Sequence, residues 1–155
     1  MDVKRLAEFD LAYIRMAHIW SRLSRAQRKK VGCLVVKNNT IISDGFNGMP
    51  TGFDNRCEDT SWDDNFIKNK NNNPEQLVTR PEVLHAESNA ITKLAKSTQS
   101  SVGATMYITI SPCLDCAKLI IQSGISRVVY GELYRNTDGV DLLKKASIIV
   151  DTIIE

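Results

Sequence analysis

Histidine and cysteine are scarce in this chain: two histidines and four cysteines in 155 residues. The scarcity excludes a disulfide-stapled scaffold and leaves His18, His85, Cys33, Cys57, Cys113 and Cys116 as the soft donors for any metal centre. Long apolar runs are missing too. No stretch approaches the roughly 20 residues that span a bilayer, and Met1-Asp2-Val3-Lys4-Arg5 lacks the apolar segment of a secretory signal. We therefore expect a cytoplasmic protein with no membrane partner. Nor does one sign of charge dominate: 20 Lys and Arg against 18 Asp and Glu give a net charge of +2, which argues against a large nucleic-acid footprint. There are no internal repeats, and the only biased segment is Asn69-Lys70-Asn71-Asn72-Asn73-Pro74. Hydrophobic residues at 43% and charged ones at 25% suit a globular protein of one domain, spanning 1–155.

Against that spare background, His85-Ala86-Glu87 and the later Ser111-Pro112-Cys113-Leu114-Asp115-Cys116 stand out. His85, Cys113 and Cys116 are a zinc ligand set, and three protein ligands leave a fourth position for water, as in catalytic sites. Glu87 is then free to move protons. A structural site would need a fourth ligand from Cys57, Cys33, His18 or Glu87, and Cys33 sits in an apolar run that reads as core. Ser111 fits an N-cap and Pro112 the first position of a helix. Cys113 and Cys116 would then share a face of its opening turns, where N–H groups and the macrodipole favour thiolates. His85 and Glu87, two apart, cannot share a site beside a helix but can share one beyond its tip, so both are placed in a first turn after Pro81.

The rest of the pattern is alternating α and β. Leu6, Phe9, Tyr13, Met16, Ala17, Trp20 and Leu23 recur at helical spacing, with His18 off that stripe. Val31 to Val36 and Thr40 to Phe46 flank Lys37-Asn38-Asn39 as a hairpin. Asn47 to Arg80 has little periodicity and reads as a functional loop. After the His85 helix come a strand from Ala104 to Ile110, a helix from Pro112 to Ser123 and a strand from Ser126 to Tyr130. A helix over Gly139 to Lys145 and a strand from Ser147 to Ile153 complete it. The expectation is a three-layer α/β/α domain with a mixed five-stranded sheet, its metal-binding helices leaving neighbouring strands.

The spacing H-x-E…P-C-x-x-C is the signature of zinc nucleobase deaminases. The chain resembles the deoxycytidylate deaminases of the cytidine deaminase superfamily from about Tyr13 to Val150. The matching segments are Val31-Gly32, Gly45-Phe46-Asn47-Gly48-Met49-Pro50, Cys57-Glu58-Asp59, His85 to Ile91, Met106-Tyr107-Ile108-Thr109, Gln122-Ser123-Gly124-Ile125, Tyr134 and Gly139. The resemblance implies a cytidine-deaminase-like fold and hydrolysis of dCMP to dUMP and ammonia, supplying dUMP for thymidylate synthesis. It implies that Glu87 takes a proton from zinc-activated water, passes it to N3 and later protonates the departing amine. Ala86 and Ser111 flank the ligands as substrate contacts. Asn47 corresponds to an asparagine beside the deoxyribose, or is a turn residue before Gly48. Ser24, Arg25 and Arg28 are candidate phosphate donors, or a solvated basic loop, and Tyr134 closes the pocket or belongs to the core.

Family members are typically homo-oligomers, often hexamers, activated by dCTP and inhibited by dTTP with Mg2+. The effector site is associated with the segment matched by Gly45, Phe46, Asn47 and Gly48, and Phe46 stands where tyrosine is commoner. A second, structural zinc found in some relatives is not expected with only two histidines. Two rival readings share the metal constellation: adenosine deamination in transfer RNA, and a non-catalytic nucleotide sensor.

Overall fold

Asn38 and Asn39 have φ of 50° and 58°, the left-handed pair that a tight hairpin turn needs and asparagine tolerates. They join β1 (Gly32–Lys37) to β2 (Thr40–Phe46), which pair antiparallel from Gly32 opposite Phe46 to Lys37 opposite Thr40. The structure is a computed structural model that describes residues 2–59 and 77–154. The asparagine-rich patch and most of the loop from Asn55 to Arg80 lie outside those residues.

The hairpin forms one edge of a five-stranded sheet ordered β2-β1-β5-β6-β7, with β5 at Thr105–Ile110, β6 at Arg127–Glu132 and β7 at Ile149–Thr152. β1 runs antiparallel to β5, whereas β5, β6 and β7 are parallel, so the sheet is mixed as expected. Side chains alternate across it. Cys33, Val35, Met106, Ile108 and Val128 point into a core shared with α2 (Ala86–Leu94), α3 (Leu114–Gln122) and α4 (Asp138–Lys145). Leu34, Val36, Tyr107 and Val129 meet Tyr13, Ile14 and Ala17 of α1 (Val3–Ser21) on the other face. Cys33 is wholly buried, as its apolar neighbours predicted.

Two expectations need correction. The buried face of α1 is Asp10, Tyr13, Ile14, Ala17 and Ser21, whereas Leu6, Met16 and Trp20 of the predicted stripe are exposed. Asp10 is drawn inward by Arg127, which donates to both carboxylate oxygens at 2.8 and 2.7 Å, and by the Tyr107 hydroxyl at 2.6 Å. Burial raises the Asp10 pKa, but those hydrogen bonds and the Arg127 charge outweigh it and hold the carboxyl below its ordinary value. The second correction concerns the metal-binding helices, which do not leave neighbouring strands. α3 follows β5, but α2 follows a small ladder of β3 (Glu58–Asp59) and β4 (Val78–Thr79), and β1 lies between β2 and β5. What brings α2 home is Gly45: a Cβ there would lie 2.1 Å from the Ala86 carbonyl oxygen, so only glycine lets β2 and the first turn of α2 touch. Gly48 and Leu84 then exchange backbone hydrogen bonds at 3.0 and 2.9 Å, delivering the chain to His85.

Candidate active site

α2 and α3 start at the same end of a cleft of ≈ 400 Å³. His85 is the N-cap of α2, with Glu87 in its first turn. Cys113 is the N-cap of α3, which begins two residues later than Pro112. Ser111 does not cap that helix, because its hydroxyl accepts from the Tyr134 N–H at 2.7 Å while its own N–H donates to the Glu132 carbonyl at 2.8 Å. Gly139 packs α4 against this segment, since a Cβ would lie 2.1 Å from the Pro112 carbonyl oxygen. Cys113 and Cys116 still fall in one opening turn, as their spacing predicted.

His85 Nδ1 lies 3.5 Å from Cys113 Sγ and 3.3 Å from Cys116 Sγ, and the three donor atoms are within 4.8 Å of one another. Tetrahedral zinc at ordinary bond lengths sets nitrogen and sulfur ligands roughly 3.6 Å apart, so the trio fits zinc. Among the described residues no fourth His, Cys, Asp or Glu joins the group: His18 is exposed on α1, Cys33 is in the core and the Cys57 thiol turns to the Asn55 carbonyl. The donor set is that of an open site. Hydrogen bonds from Cys116 and His85 pull the Cys113 thiol down to about 4. Cys116 is pushed far up, first by its hydrogen bond to Cys113 and then by burial. A metal bound to both takes both as thiolates.

Glu87 is 3% exposed, and its pKa is raised to about 7. Burial is the main cause, outweighing its own backbone N–H and the nearby His85. A carboxyl poised there can take a proton and return it near neutrality.

Besides the metal ligands and Glu87, the described residues lining the cleft include Ala86, Ile110, Ser111, Asn47 and Tyr134 and the cations Arg28, Lys29 and Arg135. Asn47 both lines the cleft and braces it: its Oδ1 accepts from the Val31 N–H at 2.8 Å and its Nδ2 donates to the Lys29 carbonyl at 2.9 Å. Ser24 is buried beneath, its hydroxyl donating to the Asn47 carbonyl at 2.7 Å. Arg25 lies in a separate depression formed by residues 22–27 and Lys30. Of the three phosphate candidates, only Arg28 lines the cleft. Tyr134 is a wall residue, its ring 5.1 Å from the Arg135 guanidinium. Gly45, Phe46 and Gly48 hold α2 in place, the Phe46 carbonyl accepting from Asn89 Nδ2 at 2.8 Å, and of the predicted effector segment only Asn47 reaches the cleft.

Sequence reasoning did not find Lys29, Glu58, Thr79 or Arg135 as cleft residues. Lys29 stands in the basic stretch Arg28-Lys29-Lys30, which marks no one residue for the cleft. Glu58 lay in a matched segment with no role attached, and nothing in the local pattern marks Thr79 or Arg135.

One imidazole, two thiols and a buried carboxylate at two converging helix starts, on an α/β/α frame, define the class of zinc-dependent nucleobase deaminases. Residues 7–132 match the profile of the cytidine and deoxycytidylate deaminase zinc-binding region. The chain belongs to that family, among the deoxycytidylate deaminases of the cytidine deaminase superfamily. It is 36% identical to the deoxycytidylate deaminase of enterobacteria phage T4 over 88% of this chain and 86% of that protein. It is 34% identical to the human deoxycytidylate deaminase over 81% of this chain and 66% of that one. The dCMP deaminase of cyanophage S-TIM5, solved with dCMP and dUMP, superposes with a TM-score of 0.81 at 38% identity, covering 99% of both chains. No helix among the described residues is long and apolar enough to cross a membrane.

Proposed function

We propose that this enzyme hydrolyses dCMP to dUMP and ammonia, and so supplies dUMP for thymidylate synthesis. The observation that carries the reading is that one cleft is lined both by the His85–Cys113 metal site with the buried Glu87 and by the cations Arg28, Lys29 and Arg135. A pyrimidine nucleoside monophosphate has the matching groups: an exocyclic amine at one end and a dianion at the other. Zinc held by His85, Cys113 and Cys116 supplies Lewis-acid activation of water. Glu87 takes one proton of the water and passes it to N3, then takes the second from the new C4 hydroxyl and delivers it to the amine as the C4–N bond breaks. The balance is one water consumed and one ammonia released. Ala86 and Ser111 border the ring site, and Tyr134 walls its outer side. Asn47 faces the deoxyribose with whatever hydrogen-bonding capacity its two backbone contacts leave. Arg28 meets the 5′-phosphate, joined by Lys29 and Arg135, whereas Ser24 supports this end through Asn47.

The family resemblance extends the proposal to a cytoplasmic homohexamer activated by dCTP and inhibited by dTTP with Mg2+, through a site beside Gly45, Phe46, Asn47 and Gly48. The test is ammonia release by the zinc-loaded protein with dCMP, dCTP, deoxycytidine and adenosine-containing RNA, each with and without Mg2+ plus dCTP or dTTP. Turnover of dCMP, raised by dCTP and suppressed by dTTP, is expected. Turnover of RNA alone would overturn the substrate assignment, and indifference to both nucleotides would remove the regulatory part.

A further inference from the structure

Between Asp10 and Asp44 the chain carries no acidic residue, yet Arg22, Arg25, Arg28, Lys29 and Lys30 crowd into residues 22–30. α1 ends at Ser21 and β1 begins at Gly32, so these cations sit on irregular backbone, and all five are exposed. The segment presents two faces. Arg28 and Lys29 line the cleft, whereas Arg22, Arg25 and Lys30 line a separate depression of ≈ 480 Å³. Buried Ala26 is common to both walls. The backbone between them is fixed. The Ser24 hydroxyl donates to the Asn47 carbonyl at 2.7 Å and accepts from the Ala26 N–H at 3.2 Å, and Glu58 Oε1 accepts from the Gln27 N–H at 3.0 Å. What separates the depression from ordinary charged surface is the missing counter-charge. Arg5, Arg56, Arg80, Lys93, Lys118 and Arg127 each meet a carboxylate at 2.6–3.2 Å. The side chains of Arg22, Arg25 and Lys30 make no hydrogen bond or ion pair among the described residues, and no described carboxylate lines the depression.

We propose that this depression binds a polyphosphate chain, free or carried by a nucleotide, at a site distinct from the substrate cleft. Three like charges gathered around one concavity focus a positive potential on it and draw in anions. Guanidinium groups hold phosphate oxygens through paired N–H donors, and a lysine ammonium adds a point charge. A single phosphate group answers only part of that set. A chain of three phosphates brings charge enough for Arg22, Arg25 and Lys30 together, and the volume lies within the roughly 300–1,000 Å³ of small-molecule pockets. The site is also separate from Gly45, Phe46 and Gly48, none of which lines it. The proposal does not rest on the reaction assigned above, because it needs neither the metal nor Glu87.

The experiment is calorimetric titration of the zinc-loaded protein with sodium tripolyphosphate and, separately, with ATP, zinc content being measured alongside. Two variants divide the basic segment: Arg22→Gln with Arg25→Gln and Lys30→Gln removes the depression's cations, and Arg28→Gln with Lys29→Gln removes those of the cleft. Wild type should bind one tripolyphosphate per chain. The triple variant should weaken that binding by about 10- to 100-fold or more, the range for hydrogen bonds to charged groups. The double variant should stay within about threefold of wild type. Arg25→Gln alone, a single exposed change, should show the same loss in smaller measure. Equal affinity for ATP would identify the phosphate chain as the whole determinant, and tighter binding of ATP would identify a nucleotide as the source. Absence of tripolyphosphate binding by wild type, or binding unchanged in the triple variant, would overturn the proposal. Loss in the double variant alone would place the anion in the cleft and overturn it equally. Failure of dCMP turnover would be a separate result, bearing on the function and not on this site.

Discussion

At the metal end of the cleft, all four chemical groups sit at or inside the first turn of a helix, and each helix is fixed by a glycine that admits backbone contact: Gly45 under Ala86, Gly139 under Pro112. Elsewhere on the cleft wall, Arg28, Lys29 and Arg135 lie outside the helices and strands and are exposed, Lys29 donating to both Glu132 carboxylate oxygens at 3.0 and 2.8 Å. The difference follows from what each set of groups has to do. Metal coordination and proton transfer tolerate errors of a fraction of an ångström and need rigid elements. Attraction of a phosphate works over longer distances and tolerates mobile side chains, so it can be left to loops.

Substitutions can break that contrast, beginning with the largest effect. Cys113→Ala should abolish both zinc binding and dCMP turnover, read by metal analysis and ammonia release, because two ligands no longer close the site. Arg28→Met should raise KM for dCMP by roughly 10- to 100-fold, with kcat changed little and deoxycytidine use unaffected; an equal fall for both substrates would mean that Arg28 acts on the fold. Gly45→Ala forces a methyl against the Ala86 carbonyl. It should lower stability toward the upper end of the roughly 1–3 kcal/mol seen for overpacking, and denaturant unfolding with parallel zinc titration would show the metal end loosening with it. Arg25→Met, outside the cleft, should leave kcat/KM for dCMP within about twofold of wild type, as exposed substitutions do.

The same contrast explains what could be read from the chain. The metal end was legible because its residues are close in sequence and their spacing maps onto a helix tip. His85 and Glu87, then Cys113 and Cys116, each declare a first turn. Even there, the N-cap moved from Ser111 to Cys113, because Ser111 is engaged by Tyr134, 23 residues away. The sheet and hairpin were legible from alternation and the Asn38-Asn39 turn. The buried face of α1 was not, since Asp10 is paired with a residue 117 positions distant and periodicity counts a carboxylate as surface. The other cleft residues were hidden for the same reason: Glu58 meets the Gln27 and Arg28 N–H groups about 30 residues away.

Zinc content and dCMP turnover measured together on Glu87→Gln test the central claim most directly. Glu87 is no member of the ligand trio, so the account predicts zinc retained at the wild-type level. Turnover should fall by at least the 10²- to 10⁴-fold, to order of magnitude, that a general acid–base contributes. Turnover near wild type, or loss of the metal with the carboxylate, would contradict it.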